Sequence, residues 1–418
     1  MQRVEGGSGR GGLRVLIGAF GDAGHVYPAI SLGRGLARRG HEVTIETWEE
    51  RRGAVEGAGL DFAAAEEYRT FPPPEPDTDD GRHAAEAARA LLPLIERLDP
   101  AVVVSDILTL APSLAAEAAG VPLATLIPHI YPVAEPGMPF FAVGLRRPRT
   151  PVGRELWKAG QRALDVGLEH GRRDLNEQRG RLDLPPLEGF HGGISPDLAL
   201  VATFPQLEYP RAWPASVQVT GPMAFEVSHP DIPLPPGEAP LVLVAPSTAH
   251  DSQNQLVRSA LAALAEEPVR VVATTNRVRP RNPIEVPANA VLVDWLSYSQ
   301  LMPIAKLVIC HGGHGTVCRA LGAGAPVLIS PIAGDMAETA MRVSWAGVGR
   351  SLPWRLCRPG PLRWATRRVL ADPSCAARAR QVGAWAAAHD GADRGAELVE
   401  QLARRGASSS ARGTADRR

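Results

Sequence analysis

The chain has 418 residues, and its 45 Lys and Arg balance 45 Asp and Glu. That length holds two or three domains, and zero net charge with no dense basic stretch argues against nucleic acid as the main partner. Hydrophobic residues make up 44%, ordinary for a folded core. No run of about 18 apolar residues is present to span a membrane, and the start, MQRVEGGSGRGG, lacks the apolar core of a secretion signal.

Residues 1–12 are glycine-rich and polar and are expected to be disordered. Leu13 to Ile17 reads as a buried strand, a glycine-containing turn (Gly18 to His25) follows, and then a helix with Ile30, Leu32, Leu36 and Ala37 at helical spacing. Gly40 ends that helix, and His41 to Thr47 is a second strand, which completes a β-α-β unit. Its glycines run G-x-x-G-x-x-G, not the dinucleotide fingerprint G-x-G-x-x-G. Further on come a strand-like Leu60 to Ala63, a proline-acid loop from Phe71 to Asp80, and a helix from His83 to Leu98. Ala101 to Asp106 is a strand that ends in a carboxylate, and a helix (Ala111 to Ala119) and strand (Leu123 to Ile127) follow it. His129 to Pro151 is irregular and carries Tyr131, Met138, Phe140 and Phe141; Arg154 to Arg181 is helical. After a short strand at Leu198 to Ala202, the five prolines between Ser228 and Pro240 read as a semi-rigid linker.

The second half repeats the pattern. Leu241 to Ala245 is a strand with Ser247 and Thr248 beyond its end, and a helix runs from Ser252 to Glu267. Strands follow at Arg270 to Thr274 and Val291 to Trp295, with a short helix from Ser299 to Ala305. The apolar run Leu307 to Cys310 leads into His311-Gly312-Gly313-His314-Gly315-Thr316, a helix ending at Gly322, and another strand from Pro326 to Ser330. A glycine turn between a strand and a helix N-terminus gathers free N–H groups and the positive end of a helix dipole, which suits a phosphate. Pro359 to Arg405 is helical with a break near Pro373, and 406–418 is a polar tail. Cys310, Cys318, Cys357 and Cys375 show no C-x-x-C spacing and read as reduced thiols of a cytoplasmic protein. His311 and His314 have no third ligand close by, so no metal is expected.

His311, Gly313, Thr316, Gly324, Pro326, Pro331 and Asp335 fall in one register that resembles the donor signature of family 1 glycosyltransferases, nucleotide-sugar-dependent enzymes of the GT-B fold. Gly24, His25, Pro28, Leu36, Gly40, His41 and Val43 resemble the same family's N-terminal element. The sequence departs from the family at Met336, where Gln is usual, at Thr339, where Asn is usual, and at Ser297-Tyr298, which replaces Pro-Gln after Trp295.

The resemblance implies an α/β fold of two Rossmann-like domains facing each other across a cleft, with the last helix crossing back to the N-terminal domain. The boundaries expected are an acceptor-binding domain at 13–227, a linker at 228–240, a nucleotide-sugar-binding domain at 241–375, a returning helix at 376–405 and a disordered tail at 406–418. It also implies an inverting transfer of sugar from a dTDP- or UDP-linked donor to a hydroxyl of a hydrophobic natural-product acceptor. His25 would be the base and Asp106 its partner; Ser247, Thr248, Trp295, His311, Gly313, His314, Gly315, Thr316, Asp335 and Met336 would meet the donor; His129, Tyr131, Met138 and Phe140 would meet the acceptor. No cofactor beyond the nucleotide-sugar co-substrate and no membrane partner is expected, and a homodimer is allowed. Met336 cannot bind sugar hydroxyls as Gln does, which points to a dTDP-linked deoxysugar, while Glu338 stands near enough in sequence to substitute. Three rivals share the architecture. A lipid-linked sugar transferase needs a basic-apolar docking face, a non-catalytic auxiliary protein tends to lose the base, and a nucleotide-sugar epimerase needs further acid-base groups.

Overall fold

The computed structural model describes residues 12–65, 84–189, 193–227, 232–246, 251, 253–332 and 334–415. The proline-acid loop at 71–80, the N-terminal 1–11, and Ser247 and Thr248 lie outside the described residues.

The first half runs β1 (Arg14–Gly18), α1 (Ala23–Arg38), β2 (Glu42–Thr47), α2 (Arg52–Glu56), β3 (Asp61–Ala64), α3 (Ala84–Leu98), β4 (Val102–Asp106), α4 (Leu110–Ala118), β5 (Leu123–Ile127), α5 (Pro151–Gly180), β6 (Ala199–Val201) and β7 (Val217–Val219). The second runs β8 (Leu241–Ala245), α6 (Gln255–Leu264), β9 (Arg270–Thr274), β10 (Ala290–Val293), α7 (Tyr298–Leu301), β11 (Ala305–Cys310), α8 (His314–Gly322), β12 (Val327–Ile329), α9 (Asp335–Ala346), β13 (Gly349–Ser351), α10 (Pro359–Leu370), α11 (Pro373–Ala388) and α12 (Gly391–Ala415).

Two Rossmann-like sheets result, ordered β3-β2-β1-β4-β5-β6-β7 and β10-β9-β8-β11-β12-β13. The run from β3 to β5 and the whole second sheet pair in parallel. Parallel strands covered on both faces read as unbroken apolar runs rather than alternating ones. In β8, Leu241, Leu243 and Ala245 pack into one core and Val242 and Val244 into the core on the opposite face, as the period of two requires. In each sheet the order reverses beside the first strand. β1 leads through α1 to β2 on one side, while β4, its neighbour on the other side, leads away through α4 to β5. Between β8 and β11 the same reversal recurs. Loops diverge at such points and leave a crevice at the strands' C-terminal ends.

The chain divides into two compact units, one of Met1–Leu126, Arg172–Leu200 and Ala392–Arg418, the other of Ile127–Gly171 and Val201–Gly391. The sequence reading draws a single boundary at 227. Residues 127–171 and 201–227 instead group with the second sheet, because Ile130, Phe204 and Leu207 pack into the core beneath β8, β11 and β12. The expected returning helix is two helices, α11 and α12, and α12 continues to Ala415. Ala and Arg in this stretch are good helix formers, and Gly406 lies so close to Pro122 that a Cβ there would sit 2.4 Å from its Cγ. Arg39 and His41, at the turn after α1, hold Glu400 of α12 through contacts of 2.6 and 2.8 Å.

Candidate active site

In the first unit, Asp22 caps α1 by accepting the Gly24 N–H, which places His25 in the helix's first turn just beyond β1. Asp106 closes β4, the strand next to β1 across the reversal. The two meet there, with His25 Nδ1 2.9 Å from Asp106 Oδ2 and 3.0 Å from Oδ1. The Asp106 side chain is fully buried and also accepts the Leu108 N–H at 2.9 Å, so its orientation is fixed. An ionised carboxylate only accepts, so Nδ1 carries the proton and Nε2 is the basic nitrogen. Phe20 stands edge-on to the His25 ring at 5.8 Å and against Trp48 at 4.9 Å. The imidazole is thus oriented from two sides while 15% of its side chain stays open to solvent.

The second unit holds a matching pair that the sequence reading missed. His311, at the end of β11, places Nε2 3.3 Å from Oδ2 of Asp251, which lies beyond β8 across that sheet's reversal. Asp251 also accepts the N–H groups of Gln255 and Leu256 at 2.8 and 3.0 Å, capping α6. Burial pushes the Asp251 carboxyl up, but the adjoining His311 imidazole and the two backbone donors together hold it below the usual aspartate value. The one sequence signal for Asp251 was an acid a few residues ahead of a helix, which says nothing of its histidine partner.

Gly313 begins α8 at its N-cap, and Gly312 beside it has φ +94. A Cβ on Gly312 would sit 2.7 Å from Ile329 Cγ2 and 3.0 Å from the Met336 carbonyl oxygen, so only glycine fits. Gly315 is exposed, and the Thr316 hydroxyl shares a hydrogen bond with the Tyr298 phenol. His314 is turned inward: Nε2 lies 3.2 Å from Cys318 Sγ, and burial pulls its imidazole down to about 3. It stays neutral.

One face of the half-buried Trp295 ring is covered by Arg277, whose guanidinium lies 4.7 Å from the ring centroid. Asp335 opens α9 after Gly334, at φ +59. Met336 is buried, and the Thr339 hydroxyl donates back to the Asp335 carbonyl at 3.0 Å. The Glu338 carboxylate is buried, and its Oε1 is held by Arg342 Nε at 2.7 Å.

On the expected acceptor side, His129 stacks on Phe141 at 5.4 Å and Phe140 meets Trp157 edge-on at 5.2 Å. Tyr131 and Met138 line a cavity of about 20 Å³, room for about one water. All four cysteines are free and buried. Among the described residues, no group of three potential ligands gathers to hold a metal, and no helix is long and apolar enough to cross a membrane.

Two Rossmann-like domains in one chain, each with an oriented imidazole where its strand order reverses, define an α/β protein whose ligands meet the strand ends. Residues 258–403 match the erythromycin biosynthesis protein CIII-like C-terminal domain. The chain is 30% identical over 428 residues to the O-mycaminosyltylonolide 6-deoxyallosyltransferase of Streptomyces fradiae, covering 94% of this chain and 98% of that one. It is 29% identical over 422 residues to the 4'-demethylrebeccamycin synthase of Lentzea aerocolonigenes, covering 94% and 100%. It shares its fold with the glycotransferase of kitacinnamycin, at a TM-score of 0.74 and 21% identity over 94% of this chain and 99% of that one. The chain belongs to the family 1 glycosyltransferases, of the GT-B fold, and is similar to the bacterial natural-product enzymes among them. It is a glycosyltransferase.

Proposed function

We propose that the chain transfers a deoxysugar, with inversion and without a metal, from a dTDP-linked donor to a hydroxyl of a hydrophobic small molecule in the cytoplasm. The observation that carries this reading is the contact of His25 Nδ1 with buried Asp106. It leaves Nε2 as the base, and Asp106 steadies the imidazolium that forms. The acceptor O–H passes its proton to Nε2 as the oxygen bonds to the anomeric carbon. The bond from that carbon to the diphosphate oxygen breaks, and the nucleotide diphosphate leaves with the electron pair. Attack opposite the leaving group inverts the centre. Charge on the diphosphate is met by the N-terminus of α8, by Thr316 and by His311, which Asp251 orients. Trp295 offers its ring to the base. Phe140 and His129 form the acceptor-side surface, with Tyr131 and Met138 behind them.

A deoxysugar is favoured over a hexose because Met336 is buried and Glu338 is committed to Arg342. A site without the polar partner does not penalise a missing hydroxyl. The 6-deoxyallosyltransferase relative is consistent with this choice. His25→Ala should abolish transfer and Asp106→Asn should slow it by about 10²–10⁴, both with dTDP binding kept, whereas His311→Ala should weaken dTDP binding itself. Full turnover by His25→Ala would remove the base assignment. A clear preference for UDP-glucose over dTDP-deoxysugars would defeat the donor assignment, and loss of activity in EDTA would defeat metal independence.

A further inference from the structure

Arg342, on α9, is 7% exposed and bound on two sides. Its Nε–H donates to Glu338 Oε1 at 2.7 Å and its Nη1–H to Glu208 Oε2 at 3.2 Å, while the guanidinium lies 3.5 Å from the Tyr209 ring centroid. Glu208 Oε1 in turn accepts the Tyr131 backbone N–H at 2.7 Å. A continuous chain of hydrogen bonds therefore runs from the start of the 131–144 loop to α9.

The far end of that loop is tied to the same helix. The Ala142 backbone lies near Glu338 and favours its charged form, and Ala142 holds φ +69, a left-handed conformation that a residue with a Cβ rarely adopts. Gly144, at φ +65, brings the chain down onto Ala337, where a Cβ would stand 2.6 Å from the alanine's own. The cleft lined by Tyr131, Met138, Glu208, Glu338 and Arg342 is small, with a volume of about 20 Å³. Burial raises both the Glu208 and the Glu338 carboxyl, and the Arg342 charge between them opposes it. Helix α9 begins at Asp335, the sugar-contacting position of the proposed donor site.

We propose that Arg342 is a positioning residue, which with Glu208 and Glu338 locks the 131–144 loop to α9 so that acceptor fit and donor-sugar alignment depend on one buried joint. This rests on the functional reading above for the meaning of the two ends, but the joint itself can be tested without activity. Glu208→Gln and Arg342→Lys keep size and remove, respectively, the loop-side charge and the two-sided geometry. Hydrogen exchange should rise in both variants at residues 131–144 and at 335–339 together. With 4-methylumbelliferone as acceptor and a dTDP-sugar donor, the acceptor KM should rise by about tenfold while the dTDP Kd stays within about twofold. Arg342→Met should be worse than Arg342→Lys. Exchange that rises in one segment alone overturns the joint, as does an unchanged acceptor KM or a dTDP Kd that weakens in parallel. If the wild type transfers no sugar at all, the functional reading fails, and the exchange result still decides whether the joint exists.

Discussion

Glu46 lies on β2 with only 8% of its surface exposed. One carboxylate oxygen packs at the corner of Gly18, 3.1 Å from where a Cβ of that glycine would stand. Burial alone pushes the carboxyl up from 4.5 to about 7. The native state therefore holds this proton more tightly than the unfolded chain does. The sign follows: stability is fully present below pH 4.5 and falls as pH rises through about 7. At about 1.36 kcal/mol per pH unit, ionising Glu46 costs the folded state about 3 kcal/mol, an upper bound because water relaxes around the charge. Glu46→Gln removes the titration and keeps the shape. Urea unfolding at pH 5 and pH 8 should show the variant more stable than wild type by about 1–3 kcal/mol at pH 8, with little difference at pH 5. Equal pH dependence in the two proteins, or a variant less stable at pH 8, would show that the carboxylate is solvated or paired and would refute the reasoning.

Glu400 should act with the opposite sign. The Arg39 hydrogen bond, ahead of that from His41, holds its carboxyl down at about 2, so its contribution is present above pH 4.5 and is lost as pH falls toward 2. Because Arg39 is about one-third exposed, Glu400→Ala should cost about 1–2 kcal/mol at pH 7, and tryptic cleavage within α12 should quicken. Asp251→Asn should weaken dTDP binding by about tenfold in calorimetry if that carboxylate orients His311, and an unchanged Kd would show that Asp251 only caps α6. Gly312→Ala must adopt φ +94 and push against Ile329. A loss of about 1–3 kcal/mol is expected in thermal unfolding, and a wild-type melting temperature would mean that the turn can rearrange.

Much of the fold was legible in the order of residues. The unbroken apolar runs at Val15 to Ile17, Leu241 to Ala245 and Leu307 to Cys310 declared buried parallel strands because both faces of each must be apolar. His25, Asp106 and His311 were singled out by their match to the motifs of family 1 glycosyltransferases, and each stands at or beyond the C-terminal end of a strand, where a parallel sheet presents its ligands. Helix ends were less visible. The stretch from Gly406 resembled a tail because it is polar and glycine-containing, while the close approach of Gly406 to Pro122 comes from distant sequence.

Pattern within a strand or helix reports neighbours two to four residues apart, and this chain shows as much through its strands, helices and glycine turns. Pairing across the reversal of strand order is a property of the sheet. His25 and Asp106 are 81 residues apart, and Arg342 and Glu208 are 134 apart. Strand order set Asp251 against His311, and packing against the second sheet committed Glu338 to Arg342. The residues able to do chemistry were written locally, whereas tertiary structure chose their partners, because burial and strand order determine which charged groups are close enough to interact.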